Sequence, residues 1–141
     1  MKKEIMDKRE QAIMEQLWTK GKALGVSELE AIFDSESEKK LGKASIFKAL
    51  QSLLKKEYVK VSGLERAGMV YARMYEPNIT KEEYAAVLLS KSGIRSTSLG
   101  SLVLAMIGND RDENPDKVKD AELIEELEKI IENIKNGAGQ V

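Results

Sequence analysis

Residues 43–75 read KASIFKALQSLLKKEYVKVSGLERAGMVYARMY, and the spacing of their apolar side chains changes partway along. In the first half, apolar residues recur every three or four positions, as on one face of a helix: Ile46, Leu50, Leu53 and Leu54. In the second half they alternate, which is typical of strands. The predicted elements are a helix over residues 43–57 and two strands over 58–61 and 69–75, with Gly63 and Gly68 in the turn between them.

Two further helices are predicted ahead of this stretch. The first runs from Lys8 to Lys20 and ends at Gly21. The second begins at a capping box, in which the Ser27 hydroxyl accepts from the Glu30 amide and the Glu30 side chain reaches back. Three helices followed by a β-hairpin form the element order of a winged helix, which is a helix-turn-helix variant. The predicted winged-helix domain covers residues 1–77.

After Pro77 the chain carries only helical signals. A second capping box joins Thr80 and Glu83, and Ile79 and Tyr84 are spaced as a hydrophobic staple. The predicted segments that follow are a helix to Leu89, an apolar helix over 99–107, an acidic loop over 109–120 and a final helix over 121–136. The predicted fold class is mainly α with a small β-hairpin: a winged helix-turn-helix domain followed by a helical dimerisation domain over residues 78–141.

The composition excludes several kinds of active site. The chain has no cysteine and no histidine, which removes disulfides, thiol nucleophiles, imidazole bases and Cys/His metal sites. The acidic stretch from Asp110 to Asp116 lacks the alternation, central glycine and terminal glutamate of a calcium loop, so we interpret it as a solvated loop. We therefore expect neither an enzyme nor a cofactor or metal, with serine–lysine or paired-carboxylate catalysis as a remote alternative.

The hydropathy of the chain indicates where in the cell the protein is expected. No apolar run approaches the length that crosses a bilayer, and residues 1–10 lack the hydrophobic segment of a secretory signal. A cytoplasmic protein without membrane association is expected.

Positive charge concentrates in the predicted third helix. Residues 1–78 carry 15 Lys/Arg against 12 Asp/Glu, whereas residues 79–141 carry 8 against 12. From Lys39 to Lys56, both included, there are six lysines and no carboxylate, so this face can displace counterions from a phosphate backbone. Glutamine and serine side chains suit base edges, and cations on the hairpin suit phosphates or the minor groove. The DNA contacts predicted from this pattern are Lys43, Ser45, Lys48, Gln51, Ser52, Lys55, Lys60, Arg66 and Arg73.

The C-terminal helices carry more apolar surface than one chain is expected to cover. Pairing with a second copy would bury it and would relate two third helices by a twofold axis, as a pseudo-palindromic DNA site requires. The alternative is that these helices fold back on the winged helix as ordinary core. The predicted dimerisation residues are Leu99, Leu102, Val103, Met106, Ile107, Leu123, Leu127, Ile130, Ile131 and Ile134.

Several segments resemble the penicillinase-repressor family, the BlaI/MecI type of regulator. They are REQAIMEQLWTKG (9–21), ASIFKALQSLLKKEYV (44–59), YARMYEPNITKEEY (71–84), SLGSLVLAMIGND (98–110) and AELIEELEKIIENI (121–134). The resemblance covers nearly the whole chain. It implies a winged-helix domain, a helical dimerisation domain and repression through a palindromic operator.

The resemblance also locates particular residues. Ala44 and Ser45 correspond to the first two positions of the family's recognition helix, where hydroxyls are usual. Ala44 departs from that pattern, and its position is carried over as a predicted DNA contact. In antibiotic-resistance members a membrane sensor triggers cleavage at a bond, commonly Asn–Phe, that corresponds to Ala105–Met106 here. The copper-responsive branch carries C-terminal cysteines, which this chain lacks. Because Ala105–Met106 differs from Asn–Phe and the cysteines are absent, neither proteolytic nor metal-driven relief of repression is predicted. The sequence predicts no inducing signal and no upstream sensor.

The predicted function is a sequence-specific DNA-binding transcriptional regulator, acting as a homodimeric repressor on double-stranded operator DNA. The alternative is a winged-helix protein-interaction module whose third helix meets an acidic partner. The lysines can also be ordinary solvated helix residues, and Lys55 and Lys56 can complement the helix dipole.

Overall fold

The computed structural model describes residues 4–36, 40–67, 70–113 and 120–137, with the side chains of 65–67, 70 and 71 outside that description. Its elements in chain order are α1 (Lys8–Lys20), α2 (Val26–Ser35), α3 (Lys43–Lys55), β1 (Val59–Ala67), β2 (Val70–Pro77), α4 (Lys81–Lys91), a 3-10 turn (Ser96–Ser98), α5 (Leu99–Glu113) and α6 (Asp120–Lys135). This order confirms the predicted fold class, which is mainly α with a β-hairpin after the third helix.

The elements form two compact units, Met1–Ile94 and Arg95–Val141. Helix α4 belongs to the first unit, whereas the sequence placed the domain boundary after Pro77. Within the described ranges, no helix is long and apolar enough to cross a membrane.

Aromatic packing explains why α4 stays with the winged helix. The Tyr84 ring of α4 is buried and meets the Tyr58 ring edge-on, with 5.5 Å between centroids. Its hydroxyl accepts from the Met6 amide at 2.8 Å. The Trp18 indole nitrogen donates to the Ile79 carbonyl at 2.9 Å, which fixes the segment that enters α4.

The core of the first unit fills the space between α1, α2 and α3. Each helix contributes the apolar row that its 3.6-residue period places on one face. The fully buried apolar side chains are Ile13, Met14, Leu17, Leu24, Leu29, Phe33, Ile46, Leu50, Leu53, Tyr58 and Tyr75. The polar faces of the three helices are thereby left on the outside.

Helix α1 has the predicted bounds, but its start is a capping box that the sequence analysis missed. The Asp7 carboxylate accepts from the Glu10 amide, and the Glu10 carboxylate accepts from the Asp7 amide, both at 2.9 Å. The helix ends at Gly21, whose φ of 65° lies in the left-handed region that favours glycine.

The capping box predicted at Ser27 and Glu30 is wrong. Helix α2 starts earlier, with Gly25 as its N-cap, and the Glu28 carboxylate accepts from the Gly25 amide at 3.4 Å. The cause is a tertiary contact, since Leu24 exchanges two backbone hydrogen bonds of 2.9 Å with Tyr75 immediately before the helix.

Helix α3 begins as predicted and ends two residues earlier, in a Schellman motif. The Tyr58 amide donates to the Leu53 carbonyl and the Glu57 amide to the Leu54 carbonyl, at 2.9 and 3.0 Å. Glu57 takes the left-handed position with φ 66°, where glycine is the usual residue. This turn directs Tyr58 into the core and starts the hairpin.

The hairpin is an antiparallel pair that runs from Val59 opposite Pro77 to Ala67 opposite Val70. Gly63 lies inside β1 at an irregularity that follows Val61, so its predicted place in the turn is wrong. A bulge absorbs the extra residue and lets pairing continue past it. Gly68, the other predicted turn glycine, lies outside the described residues.

The second unit consists of the 3-10 turn, α5 and α6. Helix α5 continues to Glu113, so the acidic loop predicted from Asn109 is helical over its first five residues. The Arg111 guanidinium lies 3.2 Å from both carboxylate oxygens of Asp120, which joins the end of α5 to the start of α6. Residues 114–119 of the predicted loop lie outside the described part.

Candidate nucleic-acid interface

The outward face of α3 carries the residues predicted to contact DNA. Because Ile46, Leu50 and Leu53 fill the core side, the polar positions of the helix point away from it. Four of the predicted contacts on α3 are exposed: Lys43, Ala44, Lys48 and Lys55. The other three are half-buried: Ser45, Gln51 and Ser52. The structure therefore brings all seven α3 residues of the prediction onto one solvent-accessible surface.

The lysines of this region have different electrostatic environments. Lys48 and Lys55 have no carboxylate within 4.0 Å among the described residues. Lys43, at the start of the helix, lies 4.0 Å from Glu30 of α2. Lys40 donates to a backbone carbonyl, that of Asp34, at 2.6 Å. The positive potential of the face thus comes mainly from Lys48 and Lys55, with a partly compensated charge at Lys43.

Lys56 does not belong to this surface. Its ammonium lies 2.7 Å from the Glu10 carboxylate, and only 15% of the Lys56 side chain and 1% of the Glu10 side chain are exposed. The lysine run contains no acid in sequence, yet in the structure other helices bring carboxylates to it: Glu30 of α2 lies near Lys43, and Glu10 of α1 pairs with Lys56. This ion pair holds the C-terminal end of α3 against α1 and so helps to fix the orientation of the α3 face.

The Glu10 carboxylate of this ion pair is also one of the groups that raise the pKa of a buried tyrosine, Tyr58. Burial raises the pKa of the Tyr58 phenol above its ordinary value, and the neighbouring Tyr84, Glu10 and Glu4 raise it further because each disfavours a phenolate. The Tyr58 hydroxyl donates to the Glu4 carbonyl. The neutral phenol is thus the form that ties the N-terminal segment to the start of the hairpin.

The predicted hairpin contacts are placed differently from those of α3. Lys60 lies 3.3 Å from Glu76 on the neighbouring strand and lines an open depression of about 740 Å³ with the end of α1 and the start of α4. Arg73 is exposed, opposite Leu64 in the strand register. The side chain of Arg66 lies outside the described part. Of the two hairpin cations whose side chains are described, Arg73 is exposed, while Lys60 is partly neutralised by Glu76.

One residue of the α3 face was missing from the sequence prediction. Phe47 is 51% exposed and stands four residues after Lys43 and four before Gln51. The sequence feature that indicates its exposure is its spacing, since Phe47 falls outside the buried row of the helix.

The predicted dimerisation residues all lie on α5 and α6, and none of them is buried within the chain. The exposed ones are Leu99, Met106, Ile130, Ile131 and Ile134. The half-buried ones are Leu102, Val103, Ile107, Leu123 and Leu127. Two further large apolar side chains on these helices, Leu104 and Ile124, are 71% and 54% exposed.

Comparison with protein families gives a match over most of the chain. A model described as penicillinase repressor matches residues 6–133, from the N-terminal segment of the first unit into the last helix of the second. The comparison with curated proteins gives no significant match.

Proposed function

We propose that this chain, which belongs to the penicillinase repressor family, acts as a homodimeric repressor on a pseudo-palindromic operator. Family membership indicates a DNA-binding transcriptional repressor. The dimer, the symmetry of the operator and the residues that meet DNA are the parts that we add.

The outward face of α3 is the observation that carries the proposal. Lys48 and Lys55 present ammonium groups without nearby described carboxylates, and such groups release counterions when they meet phosphates. Gln51 offers an amide that can donate to and accept from an adenine edge. A face that combines phosphate contacts with a base-reading amide is suited to a major groove.

The second unit supports the dimer. None of the described residues of α5 and α6 is buried, although both helices carry apolar side chains along their length. Short helices gain most of their stability from packing an apolar face against another surface. Helices α5 and α6 therefore need a surface that covers their apolar side chains. A second copy offers the same apolar side chains in a self-complementary arrangement. It also provides the second DNA-binding unit for the other half-site.

The test is selection of bound fragments from sheared genomic DNA with the full-length protein. We expect a motif with twofold symmetry, with half-site centres separated by about 10 base pairs or a multiple of that spacing. Gln51→Ala should relax the preference at one position in each half-site. Enrichment of no motif would contradict the proposal and favour a protein-interaction module.

A further inference from the structure

An aromatic ring is exposed among the lysines of α3. Phe47 is 51% exposed, while the core positions around it on the helix, Ile46 and Leu50, are fully buried. Among the described residues it is absent from both the buried core and the partly buried apolar side chains that pack on it. The fold of the first unit therefore does not use this ring as a core residue.

The neighbours of Phe47 define what it can meet. Lys43 and Gln51 lie one turn before and one turn after it, in the same row of the helix surface. Ala44 lies three residues before it and adds an exposed methyl group. The result is a small apolar patch, Ala44 and Phe47, in the N-terminal half of α3 with cationic and amide side chains around it.

We infer that this patch reads a thymine by contact with its C5-methyl group. The inference rests on the proposed function, because it requires that α3 enter a major groove. In that groove the thymine methyl is the distinctive apolar group at a base edge, and alanine and phenylalanine side chains are suited to it. The N-terminal residues of a recognition helix are those that contact base edges, which is where Ala44 and Phe47 lie.

The charge around the patch favours DNA over an apolar protein partner. Lys48 follows Phe47 directly and is exposed, and Lys43 stands one turn before it. A polyanion pairs with these ammonium groups while the ring is covered, whereas an apolar partner would bury Lys48 with no described carboxylate within 4.0 Å.

The test exchanges thymine for deoxyuridine, which removes the methyl group and leaves the hydrogen-bonding groups unchanged. Each thymine of the selected operator is replaced in turn, and binding of the full-length protein is measured at one salt concentration. Loss of one buried methyl should weaken binding about fourfold, and loss of the symmetry-related pair about sixteenfold. Other thymines of the same operator are the internal control and should have little effect.

The variant Phe47→Ala completes a double-mutant cycle. It should bind the thymine operator more weakly than the parent protein and should no longer distinguish thymine from deoxyuridine at the sensitive position. Its thermal unfolding should match that of the parent, because the ring is not part of the core.

Two outcomes would overturn the inference while leaving the proposed function intact. One is an operator at which no deoxyuridine replacement weakens binding. The other is a Phe47→Ala variant that discriminates thymine from deoxyuridine as well as the parent. Failure to select any operator would instead refute the proposed function, and the inference with it.

Discussion

Removing the positive partner of Glu10 should be among the most destabilising single changes in the first unit. In Lys56→Met the side chain keeps a similar length but loses its charge. The Glu10 carboxylate then stays buried, with 1% of its side chain exposed and one oxygen, Oε2, that accepts no hydrogen bond within the described ranges. Its remaining partner is the Asp7 amide at 2.9 Å.

The magnitude follows from the geometry of the pair. Opposite charges 2.7 Å apart attract by about 6 kcal/mol at an effective dielectric constant of 20. Part of this is offset by dehydration, and breaking a buried pair from one side costs about 3–5 kcal/mol. We expect a loss at the lower end of this range, about 3 kcal/mol, because the Asp7 amide still donates to one oxygen of Glu10. For a unit of this size, that loss lowers the midpoint of thermal unfolding by about 15 °C.

Urea and thermal unfolding of the full-length protein measure the effect. The matched control is Lys48→Met, which removes an exposed lysine from the same helix and should change the free energy of unfolding by less than about 0.5 kcal/mol. The double variant Glu10→Leu with Lys56→Met should recover most of the loss, because an apolar pair needs no compensation for buried charge. Equal losses from Lys56→Met and Lys48→Met would refute the reasoning.

Three further predictions concern stability and assembly. Glu57→Gly should raise the free energy of unfolding by about 1 kcal/mol in urea, because glycine adopts the left-handed turn without a Cβ penalty; a decrease would contradict the Schellman assignment. Burial raises the pKa of Tyr58 above 10.0 in the folded state, so its contribution to stability is complete below pH 10 and is lost as the pH rises through the folded-state pKa. Tyr58→Phe should therefore lose stability less steeply above pH 10, and an unchanged slope in thermal unfolding would contradict this. Ile130→Lys should give a monomer in sedimentation, whereas Glu132→Lys on the other side of α6 should not, and a dimer that survives Ile130→Lys would exclude the proposed seam.

The fold was predictable where local spacing decides the structure. The spacing of four and then three residues from Ile46 through Leu50 to Leu53 determines which side of α3 is buried, so the outward placement of Lys48 and Gln51 followed from sequence alone. The capping box of Thr80 and Glu83 is confirmed, with hydrogen bonds of 2.9 and 3.0 Å, because it needs only residues within one turn.

The parts that sequence reasoning missed depend on contacts between distant segments. The partner of Lys56 is Glu10, 46 residues away, and nothing in the lysine run indicates it. Helix α2 has its N-cap at Gly25 because the preceding residue, Leu24, pairs with Tyr75, which overrides the local signal at Ser27. Phe47 is a different case, since its position outside the buried row of α3 can be read from the sequence, whereas a charge pattern does not point to an aromatic residue.

The most direct test of the central claim is the salt dependence of operator binding by Lys48→Ala. If each protomer loses one phosphate contact, the slope of log K against log salt concentration becomes less steep by about 1.8 for the dimer. Lys81→Ala, which removes an exposed lysine paired with Glu15 at 3.1 Å, is the control and should leave the slope unchanged. An unchanged slope in Lys48→Ala, or an equal change in both variants, would contradict the assignment of the α3 face to DNA.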